Sequence, residues 1–479
     1  MRARIFADEN RKWWTLGALC FALFMIMLDN TVVNVALPAI QRELGIGRAE
    51  LEWTVAAYAL TFAALLLTGG KLGDLLGRRL IFVIGLIVFT TSSLFCGLSS
   101  TGTELIAARA VQGVGAALMM PATLSIISAT FAVRERGMAI GIWAGVSAMA
   151  LAIGPLLGGI ITEHISWNWI FYLNIPIGVA GVVAALLVVP ESKDTSREQR
   201  LDLPGLLSSG IGLLAIVYAL IEANQYGWTS ARILALFVIG AVALVTFVLL
   251  ELRQRLPMLD LSLFRNGTFA GANLVAILVT LAMFGIFVFF PIYMQTFLGW
   301  SPIQAGAALL PWTLMVVIFA PIAGKLSDRV GSRWLMAGGM SVVAVCCLLL
   351  STVTLHSSFW NMVPAFLLGG LGMSFTMTPM SAAAMGAVPV AKAGVASGVL
   401  NTFRQVGVAL GIAIMGAIVA DRAASHGGPA PEAFVYGLTF GMKVSAIICL
   451  GAALASAVFV RHYSHHEEAE QHQQVEVAA

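Results

Sequence analysis

GKLGDLLGRR occupies positions 70–79 and GKLSDRVGSR positions 324–333, an offset of 254 residues. Each decapeptide separates two long apolar blocks, so each reads as a short polar turn between helices rather than as part of a soluble core. A fainter echo lies further along: Gly137, Ala139, Gly141 and Gly154 match Gly394, Ala396, Gly398 and Gly411 at an offset of 257. Duplication of a half-length unit accounts for both.

The material between the repeats decides the solvent. Hydrophobic residues make up 59% of the 479 positions, charged residues only 11%, and the mean hydropathy is +0.91. A soluble domain carries about 25% charged residues. Crossing a bilayer takes roughly 20 apolar residues in a helix. Blocks of that length lie at about 14–37, 52–70, 80–98, 103–123, 138–162 and 169–189, then 203–222 and 231–251, then 269–297, 303–324, 334–354, 360–380, 394–420 and 437–460. The expected fold is an all-α integral membrane protein with fourteen transmembrane helices. N-terminal basic residues precede the first block without a cleavage site, so it is read as a retained helix.

Positive charge tests the division, because cytoplasmic loops collect Lys and Arg. With both termini inside, 20 of the 27 basic residues fall on the cytoplasmic face, Arg42, Arg48, Arg232, Arg422 and Lys443 lie outside, and Arg109 and Arg404 lie within spans. The expected division is a six-helix bundle over 1–190, a linker with two additional helices over 191–266, a second six-helix bundle over 267–461 and a cytoplasmic tail over 462–479. Two parallel halves facing a central cavity form an alternating-access architecture.

Several classes are excluded. The net charge is +3 and the basic residues are scattered, so no nucleic-acid face exists. The five cysteines sit in apolar blocks without metal or disulfide spacing, and the histidine-containing tail reads as solvated, so no metal is expected. Neither a P-loop nor a soluble segment of domain size argues for an ATP-driven pump or an enzyme.

DNTVVNVALP at 29–38, RAVQGVGAA at 109–117 and the stretch 145–159 with its GPLLGG ending accompany the repeated decapeptide. So do WNWIFYLNIPIG at 167–178, DLSLFR at 260–265 and ASGVLNTFRQVG at 396–407. Together they resemble the major facilitator superfamily, and more narrowly its fourteen-helix drug:proton antiporter branch, over nearly the whole chain. The resemblance implies two six-helix bundles plus two extra central helices. It assigns a first-span carboxylate and a fourth-span arginine to transport, and the fifth-span motif to antiporters.

In the loop motif, Gly70, Gly73 and Gly77 allow helix ends to approach, while Asp74, Arg78 and Arg79 offer charges that can pair across the cytoplasmic gap and favour an outward-open state. The second copy offers Asp328 and Arg329 but has Ser327 for Gly73 and Ser332 for Arg78. Plain topology residues at a turn are the alternative.

Ionisable groups at membrane depth face a bundle interior or an aqueous path. Asp29 is expected about 12 Å, and Arg109 about 9 Å, from the outer ends of their spans at about 1.5 Å per residue. They share a depth and form a candidate proton-coupling pair. The alternatives are a permanent structural ion pair, or Asp29 bonded to Asn30 or Asn34. Arg404 is too deep to snorkel and should meet a carboxylate, a carbonyl or the substrate. Glu222 is expected to be solvated near the outer interface.

In the fifth span Gly141, Gly145, Ala148, Ala152, Pro155 and Gly159 share one face nearly free of bulk, which permits close packing and sliding, and Gly154 and Pro155 should weaken the helix locally. Gly158 belongs to the same motif. Candidate cavity residues are Asn34, Gln112, Phe284, Phe287, Met377, Asn401 and Arg404, with adaptable thioethers and rings suited to varied apolar compounds.

The function expected is proton-coupled efflux of amphipathic, often cationic, drugs or toxic organic compounds, without cofactors and driven by the proton gradient. The partners are small-molecule substrate, protons and the lipid bilayer, and the chain is expected to work as a monomer in the inner or plasma membrane. A specific exporter of one metabolite, siderophore or antibiotic shares every helix-level feature. A non-transporting receptor or scaffold is the alternative of another class.

Overall fold

The computed structural model describes residues 8–194, 202–254, 257–426 and 428–461. Arg2, Arg4, Arg197, Arg200, Arg255, the side chain of Arg48 and the expected tail 462–479 lie outside the described residues.

Among those described, fourteen helices are long and apolar enough to cross a membrane, and no strand occurs. They are α1 (Asp8–Leu44), α2 (Arg48–Leu76), α3 (Arg78–Leu98), α4 (Gly102–Thr130), α5 (Val133–His164), α6 (Trp169–Val188), α7 (Leu203–Tyr226), α8 (Ala231–Arg253), α9 (Gly267–Phe297), α10 (Ile303–Val330), α11 (Arg333–Leu350), α12 (Phe359–Gly386), α13 (Ala393–His426) and α14 (Ala430–Phe459). Each expected span is present. Most run past the apolar block that announced them, because α1 continues through Pro38 and α5 through Pro155 without breaking.

Helix partners repeat between the halves. In the first, α2 packs on α4, α3 on α4 and α6, and α1 on α5 and α6; in the second, α10 packs on α12, α11 on α12 and α14, and α9 on α13 and α14. The glycines behind this recur too. Gly85 and Gly115 lie back to back between α3 and α4, and their repeat equivalents Gly339 and Gly372 do so between α11 and α12. With no Cβ on either side the backbones touch, the contact available to helices in lipid, where apolar burial alone gives little drive.

The halves meet mainly through α2 with α13 and α5 with α10, which the repeat interchanges, and also through α4 with α13 and α5 with α12. Of the additional pair, α7 packs against both α2 and α13, through Val217 and Tyr218 beside Leu60, Ala63 and Ala409, and α8 packs on α7. The insertion therefore covers the α2–α13 seam and leaves the α5–α10 seam uncovered. Glu222, on α7, is buried rather than solvated, because the helix carrying it lies in that seam.

A Cβ at Gly113 would overlap the Tyr58 carbonyl and the Thr61 hydroxyl, whereas nothing lies within 4 Å of one at Gly159. Gly113→Leu should force α2 from α4 and cost at least about 3 kcal/mol. Gly159→Leu should be silent. Folded yield and melting temperature of the purified variants check the contrast.

Candidate transport site and gate

Asp29 lies on α1, 3% exposed, and Arg109 on α4, 1% exposed. Arg109 Nη1 donates to Asp29 Oδ2 at 2.5 Å and to Gln112 Oε1 at 2.7 Å, and its Nε donates to the Thr54 carbonyl at 3.2 Å. Asp29 Oδ1 accepts from Gln112 Nε2 at 3.0 Å and from Asn174 Nδ2 at 3.1 Å. The guanidinium stands 4.3 Å over the Tyr58 ring. Four helices thus converge on one ion pair whose carboxylate oxygens are both hydrogen-bonded, as a charge pair in low dielectric requires. Asp29 bonds neither Asn30 nor Asn34.

Tyr58, Thr54 and Asn174 were not singled out by sequence reasoning. Asn174 had a signal, since it falls in the quoted stretch 167–178, whose other polar members build the far end: Trp167 donates to Glu43, and Asn168 and Tyr172 both donate to the Gly97 carbonyl. Of the candidate cavity residues, Gln112 is wholly buried and belongs to the ion pair. Asn401 is buried and donates to Ser397 on its own helix, so neither faces a cavity. Asn34 is exposed on the α1 face that also carries Asn30, and Asn30 donates to the Tyr58 hydroxyl at 3.4 Å, linking that face to the pair. Phe284 and Phe287 are partly exposed, and Phe287 packs edge-on to Trp312 at 5.2 Å. Arg404 and Met377 are partly exposed and in contact.

The end of the bundle that carries both decapeptides, here the motif end, is closed by two reciprocal contacts. Asp74 of α2 accepts from the backbone amides of Gly394 and Val395 at 2.9 and 2.8 Å, at the start of α13. Asp328 of α10 accepts from those of Gly137 and Met138 at 2.9 and 3.2 Å, near the start of α5. These four residues are repeat equivalents, so the faint echo in the sequence marks where each half receives the other's carboxylate. Anions are stabilised at helix N-termini by free amides and the helix dipole. Gly70 meets the Gly394 backbone and Gly324 the Gly137 backbone so closely that a Cβ at any of them would overlap the other chain segment.

The charges of the motif do not pair across the gap as expected. Arg78 binds Asp74 of its own half at 2.7 Å and donates across the seam to the carbonyls of Val390 and Ala391, because the opposing half offers helix-end amides and carbonyls rather than ions. Arg79 pairs with Glu191 at 3.7 Å, and Glu191 accepts from the amides of Arg79 and Leu80, fastening α3 to the chain leaving α6. Gly77 has φ +124° and abuts Glu191, so only glycine suits it. Gly73 has room for a side chain, which agrees with Ser327 in the second copy. Arg329 is exposed. In the second copy Ser332 replaces the arginine and bonds Ser327 at 2.7 Å, and a cavity of about 140 Å³ lined by Arg136, Ser327, Asp328 and Ser332 occupies this region. At the α2–α13 seam Lys392 also pairs with Asp260 at 2.7 Å, which together with the Ser262 bonds holds the Asp260 carboxyl down to about 2.

The small face of α5 lies along α10: Gly141 against Ala320 and Pro321, Gly145 against Val317, and Pro155 beside Gly306. Gly154 and Gly158 face the other way, onto Thr31 and Val32 of α1, and Gly159 is open. α5 therefore touches the segment next to Asp29 at one end and the Asp328 carboxylate at the other.

Two duplicated bundles that share a sealed end and enclose a buried ion pair define a membrane transporter. The Major Facilitator Superfamily model matches residues 19–412 and again 273–477, the second match starting at the repeat. The chain belongs to that family, and so is a transporter and not an enzyme. It is similar to the puromycin resistance protein of Streptomyces alboniger, 37% identical over 94% of this chain and 91% of the relative. It is also similar to the multidrug resistance protein Stp of Mycobacterium tuberculosis, 37% identical over 85% of this chain and 75% of the relative. A third relative is the methylenomycin A resistance protein of Streptomyces coelicolor, 35% identical over 89% of each. Among solved structures, the proton:xylose symporter XylE matches with TM-score 0.69 at 14% identity, over 95% of this chain and 97% of that one. The human organic anion transporter MFSD10 matches with TM-score 0.65 at 12% identity, over 94% and 99%. These two attest the fold alone.

Removing one member of a buried ion pair leaves a bare charge, at a cost of about 3–5 kcal/mol, whereas replacing both with apolar groups of similar volume costs far less. Arg109→Met should therefore melt well below the Asp29→Leu/Arg109→Met double variant in a thermal scan of purified protein. For the gate, Asp74→Ala leaves two helix-end amides unanswered and Arg78 with carbonyls alone, and a charged hydrogen bond contributes about 1.5–3 kcal/mol. Maleimide labelling of a cysteine placed at the buried Ser397 should accelerate by about tenfold or more in Asp74→Ala, and by less in Asp328→Ala.

Proposed function

We propose that the chain is a proton-driven exporter of amphipathic organic compounds, working by alternating access. The observation that carries this reading is the Asp29–Arg109 pair, held inside the first bundle with one polar link, Tyr58 and Asn30, towards the exposed Asn34. On this reading the motif end faces the cytoplasm with both termini, since the basic residues gather there. The sealed motif end is then the outward-facing stage of the cycle. A single chain supplies both bundles, so a monomer in the inner or plasma membrane is the working unit, and it needs no cofactor.

A proton arriving from outside along Asn34, Asn30 and Tyr58 neutralises Asp29. Arg109 then loses its anionic acceptor and keeps the Thr54 carbonyl, Gln112 and the Tyr58 face. That loosens α1 from α4, and α1 bears on α5 through Thr31 and Val32 at Gly154 and Gly158, while the other end of α5 holds Asp328. Protonation thereby biases the gate towards opening; release of that proton to the cytoplasm as cargo enters restores the Asp29–Arg109 pair and reseals the motif end, so proton and cargo cross in opposite directions. One charge moved through 100 mV supplies about 2.3 kcal/mol.

The resistance functions named for the relatives support export, and they include both single antibiotics and a multidrug phenotype. A preference for cations rested on an ionised Asp29 open to the cargo. With both its oxygens engaged by Arg109, Gln112 and Asn174, Asp29 gives no such attraction.

Purified protein in proteoliposomes tests the coupling. Wild type should move cargo against an imposed pH gradient and acidify or alkalinise the lumen in step. In Asp29→Asn the gradient should no longer drive movement, and facilitated equilibration is all that should remain. Movement in Asp29→Asn that still follows the gradient removes Asp29 from the coupling role.

A further inference from the structure

Arg404 is a positive charge inside the bundle that the protein leaves unanswered. It lies eleven residues into α13, roughly 16 Å from the motif end. Its Nη1 is buried without a hydrogen-bond partner, and Nη2 reaches only the Met377 thioether at 3.9 Å, a weak acceptor. The other buried arginines differ: Arg78 and Arg109 each hold a carboxylate and one or more backbone carbonyls.

Neither half offers a counter-ion by symmetry. The repeat places Ser147 of α5 opposite Arg404, and it places Met283 and Phe366 where the first half has Asp29 and Arg109. Asp29 itself is taken. On α13, Gly394, Gly398 and Ala409 face α2 or its neighbour α7, whereas Arg404 lies on the other side, on the face that carries Gly407 and Gly411 against α9, and reaches Met377 of α12. Both Arg404 and Met377 are partly exposed. About two turns from Met377 towards the far end, roughly 10 Å along α12, Gly369 and Gly370 seat Trp312, which meets the partly exposed Phe287.

A guanidinium at this depth with a donor left unfilled favours an acceptor, which a cargo can supply. Resting on the exporter reading, we infer that Arg404 is the cargo anchor and that the site takes aromatic compounds carrying an anionic acceptor group (a carboxylate, sulfonate or acidic phenol) in preference to organic cations. The planar fork of a guanidinium matches such groups in two-point fashion. The rings of Phe284 and Phe287 and the thioether of Met377 offer apolar contact to the body of the molecule. A cationic cargo would meet like charge at Arg404 and find no ionised acid free beside it.

Two xanthene dyes of one skeleton and opposite charge separate the possibilities: anionic fluorescein and cationic rhodamine 6G. Their binding is read by anisotropy on the purified full chain in phosphatidylcholine nanodiscs. Wild type should bind fluorescein at least tenfold tighter than rhodamine 6G. Arg404→Gln should weaken fluorescein tenfold or more and leave rhodamine 6G unchanged or tighter, and Arg404→Lys should keep most of the preference. Should Arg404→Gln fail to fold, displacement of fluorescein from wild type by 2-naphthoate but not by 2-naphthylmethylamine supports the same conclusion. A wild-type preference for rhodamine 6G, or an equal loss of both dyes in Arg404→Gln, overturns the anchor. Anion-selective binding without proton-linked movement in proteoliposomes keeps the anchor and sinks the exporter reading.

Discussion

A charge inside this bundle must be answered by whatever else is inside it, because the hydrocarbon around it answers nothing. Each structural feature of consequence follows from how that demand is met. Asp29 and Arg109 meet it with each other, with Gln112 one turn along α4, and with Thr54, Asn174 and Tyr58 from neighbouring helices. Asp74 and Asp328 meet it with the amides at the starts of α13 and α5, so one helix end of each half becomes the counter-charge of the other. The cohesion of the first bundle and the closure of the motif end are the same physics at two depths.

The two seams between the halves are equivalent in topology and unequal in strength. At the α2–α13 seam, Asp74 is joined by Arg78 and its two carbonyls, Lys392 reaches Asp260, and α7 lies across the outside. At the α5–α10 seam Ser332 stands where the first copy has Arg78, a cavity that Arg136 also lines adjoins Asp328, and neither α7 nor α8 lies across it. Exposed pairs such as Lys392–Asp260 contribute little, generally under about 1 kcal/mol, so the difference rests on Arg78 and on the apolar cover from α7. A rocking motion separates first where fewest buried polar bonds must be broken. The smooth Gly141–Gly145 face of α5 lies at that weaker seam, where a helix can slide over its neighbour without unlocking side chains.

Much of this was legible before any coordinates. Length and hydropathy mark fourteen spans because the bilayer imposes one thickness on all of them. The matched glycines were legible as a repeat, though not as the places where Gly70 meets Gly394 and Gly324 meets Gly137. Gln112 is one helical turn from Arg109, a spacing that could have suggested it as a partner of the pair rather than a cavity group. Asn174 and Tyr58 lie on other helices, and which helices surround Asp29 depends on bundle order, which periodicity does not encode. The same limit misdirected Arg78: a charge motif suggests ionic partners, while the opposing surface consists of helix ends.

The repeat also shows what duplication supplied and what it did not. Gly70, Gly85, Gly115, Gly137 and the gate carboxylate Asp74 all have counterparts, so the packing and the gate are scaffold, held in common by both halves. Asp29, Arg109 and Arg404 have none; their counterparts are Met283, Phe366 and Ser147. Two symmetric bundles can exchange two states with nearly equal packing, which makes the motion cheap but gives it no direction. Direction has to come from groups present once. On the proposed reading, a carboxylate buried in the first half and an unpaired guanidinium in the second would place a proton's effect and a cargo's grip on opposite bundles, so that each ligand would bear on how the halves lie against one another.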